Sequence, residues 1–295
     1  MAKDKLHIRP PFDLGTPMLR VARGCTHGKC RFCSIYHEPF SPVPMDEIVA
    51  DIEGLALEAT ALTNRIFLTG GNPYALPTRI LLDIFDEVEK RIPTVNSNGG
   101  FCRIADVARK SDEDLLALAH RGVNNITIGA ESGCDETLAY MRKGHTAQDI
   151  AEQGKRLHEA GIEFTFFYLA GMAGAGKGQQ NALDSAKAYS EASPSRILVT
   201  TLSPTKSWPL AEAIDRGEWT PSGEVEAQRE IQTFIANLNC ACNVNCSHDT
   251  DIIKFEGMIP EDQEKMVELL DHCIPKMNEN AARRLRAMVL GRRSF

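Results

Sequence analysis

Three cysteines stand within nine residues near the start of the chain, at Cys25, Cys30 and Cys33. Thiols placed so close together on one loop can converge on a single metal centre. A 4Fe-4S cluster held by only three thiolates keeps one iron open to another molecule. Because His37 could add a fourth ligand, the loop alone also allows a Cys3His structural zinc site. The spacing therefore leaves two interpretations, an iron–sulfur cluster or zinc.

The composition is that of an ordinary globular protein. Its 295 residues are 43% apolar and 25% charged, enough to bury a sizeable core in one large α/β domain or two small ones. The formal net charge of -7 argues against a general nucleic-acid binder, and we expect no nucleic-acid partner. No apolar run has the length of a signal sequence or a membrane span, so we expect a cytoplasmic protein with no membrane partner. Nine cysteines in that compartment indicate metal or reactive thiols rather than disulfides.

Strand-like and helix-like stretches alternate between about residues 17 and 217. Amphipathic helices are predicted between the strands, and capping boxes open two of them, at Ser111–Asp114 and Thr146–Asp149. Gly122 and Gly161 stand where a helix ends and the next strand begins. The predicted strands are Met18–Val21, Ile66–Leu68, Thr94–Asn96, Ile126–Ile128, Phe164–Leu169 and Ile197–Leu202.

Six such units predict a parallel sheet, either an open sheet or a partial barrel, with its ligand site at the carboxyl ends of the strands. The cysteine loop follows the first strand, as that rule requires. After Gly217 the pattern changes to a helix over 224–237, an irregular cysteine-rich stretch over 239–257 and two further helices over 260–278 and 279–290. We therefore divide the chain into an N-terminal extension (1–16), a barrel (17–220) and a C-terminal cap packed on the barrel (221–295).

Several motifs in order resemble the radical S-adenosylmethionine (radical SAM) superfamily, in particular its short stand-alone proteins with a Cys-x4-Cys-x2-Cys loop. Relatives in that group have Gly-Cys-Thr-Trp-x-Lys-Cys-Thr-Phe-Cys, and the loop here reads Gly24-Cys25-Thr26-His27-Gly28-Lys29-Cys30-Arg31-Phe32-Cys33. The segments that resemble cofactor-binding motifs of the superfamily are the glycine-rich turn Gly70–Pro73, the Glu131-Ser132-Gly133 element and the basic turn Arg142–Thr146. Asn72 departs from the pattern, since many relatives have an acidic residue there.

The resemblance implies a partial parallel (β/α)6 TIM-like barrel with a helical C-terminal extension. It also implies two cofactors, a 4Fe-4S cluster ligated by Cys25, Cys30 and Cys33, and S-adenosylmethionine (SAM) at the open iron. The residues that we assign to cofactor binding are Phe32, Gly70, Gly71, Asn72, Pro73, Asn96, Glu131, Ser132, Arg142, Lys143 and Thr201.

A second group of cysteines, Cys240, Cys242 and Cys246, lies in the predicted cap and is followed by His248. Three interpretations compete, and we rank them in this order: local packing or lining of the substrate site, a thiol that returns a hydrogen atom to a substrate radical, and an auxiliary iron–sulfur cluster with Cys273 as a further ligand. We place Cys240, Cys246 and His248 in the catalytic, substrate-facing part of the site.

The implied activity is the reductive cleavage of SAM to a 5′-deoxyadenosyl radical, which abstracts hydrogen from a substrate that the sequence does not identify. The implied partners are that substrate and an electron donor such as flavodoxin or ferredoxin. The alternative is a non-catalytic binding protein stabilised by Cys3His zinc.

Overall fold

The computed structural model describes residues 9–33, 35–36, 38–204, 208–249 and 251–291. His37, the fourth ligand of the zinc interpretation, lies outside the described residues. The chain divides into two compact units. The first unit comprises the residues up to Gly28, Ile35–Gly129 and Arg156–Phe164, and the second comprises Lys29–Ser34, Ala130–Lys155 and the residues from Thr165 onward.

Strands and helices alternate along the chain as predicted. The strands are β1 (Met18–Arg20), β2 (Ala22–Arg23), β3 (Ser41–Pro42), β4 (Arg65–Thr69), β5 (Ser97–Cys102), β6 (Ile126–Glu131), β7 (Phe164–Ala170), β8 (Arg196–Thr201), β9 (Cys242–Cys246) and β10 (Phe255–Ile259). The helices are α1 (Met45–Glu58), α2 (Thr78–Arg91), α3 (Ile104–Ala108), α4 (Asp112–His120), α5 (Asp135–Tyr140), α6 (Ala147–Glu159), α7 (Gly178–Ala192), α8 (Pro209–Asp215), α9 (Glu224–Ala236), α10 (Gln263–Cys273) and α11 (Glu279–Gly291). Eight of the strands form a mostly parallel sheet, which confirms the α/β class. No helix in the described ranges has both the length and the apolar character needed to cross a bilayer.

In the first unit, β1, β4, β5 and the start of β6 are parallel neighbours in that order. Apolar side chains of β4 are buried in the interior of this unit. The ring of Phe67 meets that of Phe101 edge-on, with ring centroids 5.1 Å apart. Helix α1 begins directly after Pro44 and buries Ile48 and Ile52 on one face, which is the spacing of an amphipathic helix. Parallel strands place their carboxyl ends at one edge, so the loops after β1 and β4 emerge side by side.

In the second unit, β7, β8 and β9 are parallel and β10 is antiparallel to β9. An aromatic cluster anchors β7 to the helices of this unit: Tyr168 stacks on Phe234 of α9 with ring centroids 4.0 Å apart, and Tyr189 of α7 meets both rings edge-on. Helix α9 also packs against α7, α10 and α11. The C-terminal helices therefore share one core with β7 and β8.

The structure confirms the predicted helix boundaries at several positions. Both capping boxes are formed: Ser111 Oγ accepts from Asp114 N, and Thr146 Oγ1 accepts from Asp149 N. Gly122 and Gly161 adopt left-handed conformations with φ near +73° and +74° where their helices end.

Two predicted segments are wrong. The third strand was predicted over Thr94–Asn96 from β-branched residues, but it occupies Ser97–Cys102, and Asn96 is an exposed residue before its amino end. This strand contains Gly99, where a side chain would overlap the guanidinium group of Arg65, so contacts in the unit override local propensity. The stretch over 239–257, predicted to be irregular, forms β9 and the start of β10.

Candidate active site

The cysteine loop begins immediately after β2. In the first unit, β2 pairs with β3, and Cys25 forms an isolated bridge with Pro39, so the backbone at the start of the loop is paired on one side. In the second unit, Cys33 N donates to Cys30 O at 3.3 Å and closes a turn between these two cysteines. None of the three loop cysteines forms a disulfide, and all three are partly exposed. The three predicted cluster ligands are thus reduced and accessible.

Two consecutive glycines after β4 let the backbone pack against the segment that leads into the loop. Gly70 and Gly71 have φ of +111° and +73°, and a Cβ on either would overlap a main-chain carbonyl oxygen, that of Ala22 or of Gly24. Only glycine combines this conformation with so close an approach. The predicted cofactor turn is therefore built against the residues that directly precede Cys25.

Asn72 lies beside that turn, and its side chain is 1% exposed. Its Oδ1 accepts from Thr26 N at 3.0 Å, and its Nδ2 donates to Thr26 Oγ1 at 2.7 Å and to Asp106 Oδ2 at 2.8 Å. Pro73 is buried and opens a short 3-10 turn. Sequence reasoning missed Asp106, a carboxylate buried behind the turn, because its contact with Asn72 joins residues 34 positions apart.

In the second unit, the last residue of β6, Glu131, has an unusual left-handed φ of +70°. Its carboxylate lies 3.5 Å from Lys143 Nζ; burial raises the pKa of Glu131 and the ammonium group opposes that shift. Lys143 is buried, whereas Arg142 is exposed. Of the two predicted basic residues, Lys143 is thus the one that the structure places against Glu131.

Phe32 joins the cysteine turn to this ion pair within the second unit. Lys143 Nζ lies 5.6 Å from the centre of the Phe32 ring, and the ring packs on an apolar cluster that includes Met141, Met172 and Trp219. The backbone of Arg31 adds two hydrogen bonds, donating to Met141 O at 3.1 Å and accepting from Leu210 N at 2.8 Å. The Cys30–Cys33 turn is therefore fixed to α5 and α8.

Ser132, predicted to bind the cofactor, directs its hydroxyl into the interior of the second unit. Its Oγ donates to Asn181 Oδ1 at 2.7 Å and accepts from Cys134 N at 3.0 Å. Asn181 in turn donates to Glu230 at 2.8 Å. Together these bonds fasten the turn that follows Glu131.

Glu230 is a second buried carboxylate that sequence reasoning missed. It accepts from Gly171 N at 2.9 Å, from Tyr168 Oη at 2.8 Å and from Asn181, and burial raises its pKa to about 7. The turns after β6 and β7 are thus held by one carboxylate of α9. Its position on the apolar face of α9, between Ala227 and Phe234, was the available signal.

Two further groups lie at the ends of β7 and β8 in this unit. A cleft near the β7–α7 turn is lined by Tyr140, Met172, Gly174 and Trp219, among others. Thr201, the last residue of β8, is buried, and its hydroxyl has no hydrogen-bond partner among the described residues. Both therefore lie where βα folds place their ligands.

The second cysteine group lies on and beside a strand. Cys242 and Cys246 share the buried face of β9, and Cys240 precedes the strand with its Sγ 3.9 Å from that of Cys242. Since a strand rises about 3.3 Å per residue, Cys242 and Cys246 are about 13 Å apart. Cys246 and the half-buried His248 lie at the carboxyl end of β9, whereas Cys240 lies at its amino end.

No three Cys, His, Asp or Glu side chains in the described ranges are gathered closely enough to hold a metal ion. The fit of a cluster to the loop therefore rests on donor chemistry and on the turn beside it. Three partly exposed thiols within nine residues, none of them in a disulfide, are the soft ligands that iron–sulfur clusters take. The turn at Gly70 and Gly71 packs against Ala22 and Gly24, directly before Cys25. By these criteria the residues fit a cluster with one open iron.

Comparison of the sequence with known proteins gives a family match and a curated relative. Residues 19–175 match the Radical SAM superfamily, which is more than half of the chain. Over 144 residues the chain is 25% identical to the heme chaperone HemW of Bacillus subtilis (strain 168), covering 47% of this chain and 38% of HemW.

Three solved structures share the fold. Methylornithine synthase (PylB) has a TM-score of 0.54 at 15% identity and covers 92% of this chain and 85% of its own. Elp3 of Methanocaldococcus infernus, with an N-terminal deletion, has a TM-score of 0.55 at 14% identity, and the match covers 89% of this chain and 63% of Elp3. The radical SAM methyltransferase TsrM of Kitasatospora setae, with a bound [4Fe-4S] cluster, has a TM-score of 0.55 at 15% identity, and the match covers 68% of this chain and 37% of TsrM.

The chain spans less than two fifths of the length of HemW and of TsrM. The structural matches confirm the partial-barrel fold class, and TsrM has also been solved with a SAM analogue. The predicted cofactors, a 4Fe-4S cluster and SAM, are confirmed as those of the superfamily, and the zinc interpretation gains no support. On the match over residues 19–175, the chain belongs to the radical SAM superfamily.

Proposed function

We propose that this chain is a radical SAM enzyme that reductively cleaves SAM at a 4Fe-4S cluster held by Cys25, Cys30 and Cys33, and that the resulting 5′-deoxyadenosyl radical abstracts hydrogen from a substrate. The observation that carries the proposal is the set of three partly exposed cysteines, none in a disulfide, inside the segment that matches the superfamily. When bound, the cluster supplies an open iron for the amine and carboxylate of SAM and one electron for the sulfonium C–S bond. Methionine is the other product.

The residues of the first unit would hold the amino-acid end of SAM. The glycine-rich turn Gly70–Pro73 packs directly against the residues that precede Cys25, and it is the proposed site of the amino group of SAM. Asn72 has already committed its amide to neighbours, and recognition of the amino group falls to main-chain carbonyls of this turn.

The residues of the second unit would hold the nucleoside. Glu131 is the proposed ribose ligand, and the adjacent Lys143 favours its ionised, hydrogen-bond-accepting form. Phe32 offers a ring face for adenine, and the cleft at Met172 and Gly174 offers an apolar wall. Ser132 positions the Glu131 turn through Asn181, and the exposed Arg142 can meet the carboxylate of SAM.

The substrate would lie against the cap, residues 221–295. Cys246 and His248 remain the proposed substrate-facing residues because they lie at the carboxyl end of β9, which is parallel to β8. Cys240 lies at the opposite end of β9, and the structure gives no support for placing it at the substrate. The electron donor is proposed to be a flavodoxin or a ferredoxin.

The test is anaerobic reconstitution of the full chain with iron and sulfide, followed by dithionite and SAM. We expect about four irons per chain and the formation of 5′-deoxyadenosine. Cys30→Ala should lose both, whereas Cys273→Ala, which removes another partly exposed thiol on α10, should keep both. One tightly held zinc, with neither cluster nor 5′-deoxyadenosine, would overturn the proposal.

A further inference from the structure

A buried amide and a buried carboxylate are in direct contact in the first unit. Asn72 Nδ2 donates to Asp106 Oδ2 at 2.8 Å, and each residue is 1% exposed. The same carboxylate oxygen accepts from Arg103 N at 2.9 Å. Asp106 Oδ1 accepts no hydrogen bond from the described residues, and Arg109 Nη1 lies 3.8 Å from it. The Asp106 carboxylate therefore faces the amide through Oδ2 and the exposed Arg109 through Oδ1.

The other side of the amide holds the cysteine loop. Thr26 N donates to Asn72 Oδ1 at 3.0 Å, and Thr26 Oγ1 accepts from Asn72 Nδ2 at 2.7 Å. Both N–H groups of the amide are thus in use, one on Thr26 and one on Asp106. Thr26 is bonded covalently to Cys25, so a chain of contacts runs from Asp106 through Asn72 to the first loop cysteine.

This arrangement has a chemical requirement that asparagine meets and aspartate does not. One end of the side chain must accept from a main-chain N–H, and the other must donate to a carboxylate. An aspartate at residue 72 could keep the first bond, but it would bring two carboxylates into hydrogen-bond distance. Like charges so close in a buried setting cannot both ionise at low cost.

We propose that Asn72 and Asp106 form a positioning pair that fixes the cysteine loop at Thr26, and that the Asn72 side chain is not a ligand of SAM. The proposal deepens the proposed function and rests on it in one respect, since the loop must be the one that carries the cluster. It gives a physical reason for an amide at residue 72: the side chain must donate to the carboxylate of Asp106 while it accepts from Thr26 N.

The first test uses the full chain without its cluster and measures how fast iodoacetamide modifies Cys25, read by mass spectrometry. Cys30 and Cys33 serve as internal references. Asn72→Asp should release the loop and speed Cys25 modification about tenfold, the factor that corresponds to about 1.4 kcal/mol, the size of one lost buried hydrogen bond. Asp106→Asn should change the rate little, since its carbonyl oxygen can accept the same two bonds.

The double variant Asn72→Asp with Asp106→Asn is the rescue. A single carboxylate again faces an amide, so most of the Cys25 protection should return, apart from the bond that Arg103 N loses. Thr26→Val is a milder variant that removes only the hydroxyl acceptor, and it should give a smaller acceleration than Asn72→Asp. It keeps the test decisive should Asn72→Asp fail to fold.

A second readout is pH. The charged and titratable groups around Asp106 are Arg103, Arg109, Lys110 and Cys102. In Asn72→Asp, lowering the pH from 8 to 6 should slow Cys25 modification relative to Cys30, because one proton shared by the two carboxylates relieves their repulsion. The double variant should lack this relative change.

The outcomes separate the two proposals. Asn72→Asp protein with unchanged Cys25 protection, and with SAM bound more tightly than in wild type after reconstitution, would make residue 72 a SAM ligand and overturn the positioning pair. Failure of wild type to take up iron would overturn the proposed function, while the Cys25 measurement on the cluster-free chain would still decide the role of the pair.

Discussion

The two cysteine-rich segments each place three cysteines within nine residues or fewer, but their structures are opposite. Cys25, Cys30 and Cys33 occupy a loop and are all partly exposed, whereas Cys242 and Cys246 project from one strand into the interior. A strand holds side chains four residues apart at about 13 Å, and β10 pairs along the whole of β9. Backbone conformation, more than the number of thiols, therefore decides which segment can gather ligands around a cluster.

A buried carboxylate accompanies each segment, but in a different relation. Asp106 acts on the loop through the amide of Asn72, which bonds Thr26. Asp251, 4% exposed, interacts with Cys246. Burial and then the Asp251 carboxylate raise the pKa of Cys246, whereas burial alone raises the pKa of Asp251 and the Cys246 thiol opposes that shift. The first carboxylate supports a site of thiolates, and the second keeps its neighbouring thiol protonated.

The largest expected effect separates the two segments by iron content. Alanine at Cys25, Cys30 or Cys33 should abolish the uptake of about four irons, because each removes one of three ligands. Alanine at Cys240 or Cys246 should leave that uptake intact. Iron and sulfide analysis of the reconstituted variants measures this. About eight irons in wild type, falling to about four in Cys240→Ala, would show an auxiliary cluster and erase the contrast.

A smaller effect is expected in the pH dependence of stability at Asp251. Burial raises its pKa to about 7, so the folded state binds a proton there that the unfolded chain has released. The free energy of unfolding should therefore fall as the pH rises from about 4 to about 7 and then level off. Between pH 5 and pH 8, the free energy of unfolding should fall by about 3 kcal/mol more in wild type than in Asp251→Asn, which is two pH units at about 1.36 kcal/mol each.

Urea unfolding of both proteins at pH 5 and pH 8 measures this difference, and Ser247→Ala, at an exposed neighbouring residue, serves as the control. If the free energy of unfolding falls equally in wild type and Asp251→Asn, Asp251 ionises normally. The claimed difference between Asp251 and Asp106 would then be wrong.

The sequence predicted the parts of the fold that depend on local rules. Patterns within a few residues predicted the helix N-terminal residues Ser111 and Thr146, the helix-ending Gly122 and five of the six barrel strands. The third strand was misplaced because its glycines are set by neighbours such as Arg65 and not by β-propensity. Strand β9 was missed although its burial alternates with period two, because cysteine and asparagine are not typical strand residues.

The candidate site was predictable where a motif carries it and not where the support is remote in sequence. The loop cysteines, the two glycines and Glu131 stand in contiguous motifs. Asp106 and Glu230 act through residues 34 and more positions away, and no pattern in a single sequence pairs them with Asn72 or Gly171. Buried polar partners of this kind need the structure.

The smallest effect lies within the second cysteine segment and sharpens the contrast. The neighbouring Cys242 thiol lowers the pKa of Cys240, whereas burial raises that of Cys246. Cys240 is half-buried and Cys246 fully buried, so both accessibility and thiolate fraction favour Cys240. Limited iodoacetamide treatment of the native chain should therefore modify Cys240 first, with at least about a tenfold rate difference.

Peptide mass spectrometry after timed quenching gives the two rates, and Cys242→Ala supplies the control because it removes the hydrogen bond to Cys240. The rate at Cys240 should fall in that variant while Cys246 stays protected until the chain unfolds. Rapid modification of Cys246 in native protein would show that its thiol is open to solvent from the carboxyl end of β9. The thiols of this segment would then be as accessible to solvent as those of the loop. The two segments would differ only in the spacing that the strand imposes on the cysteines.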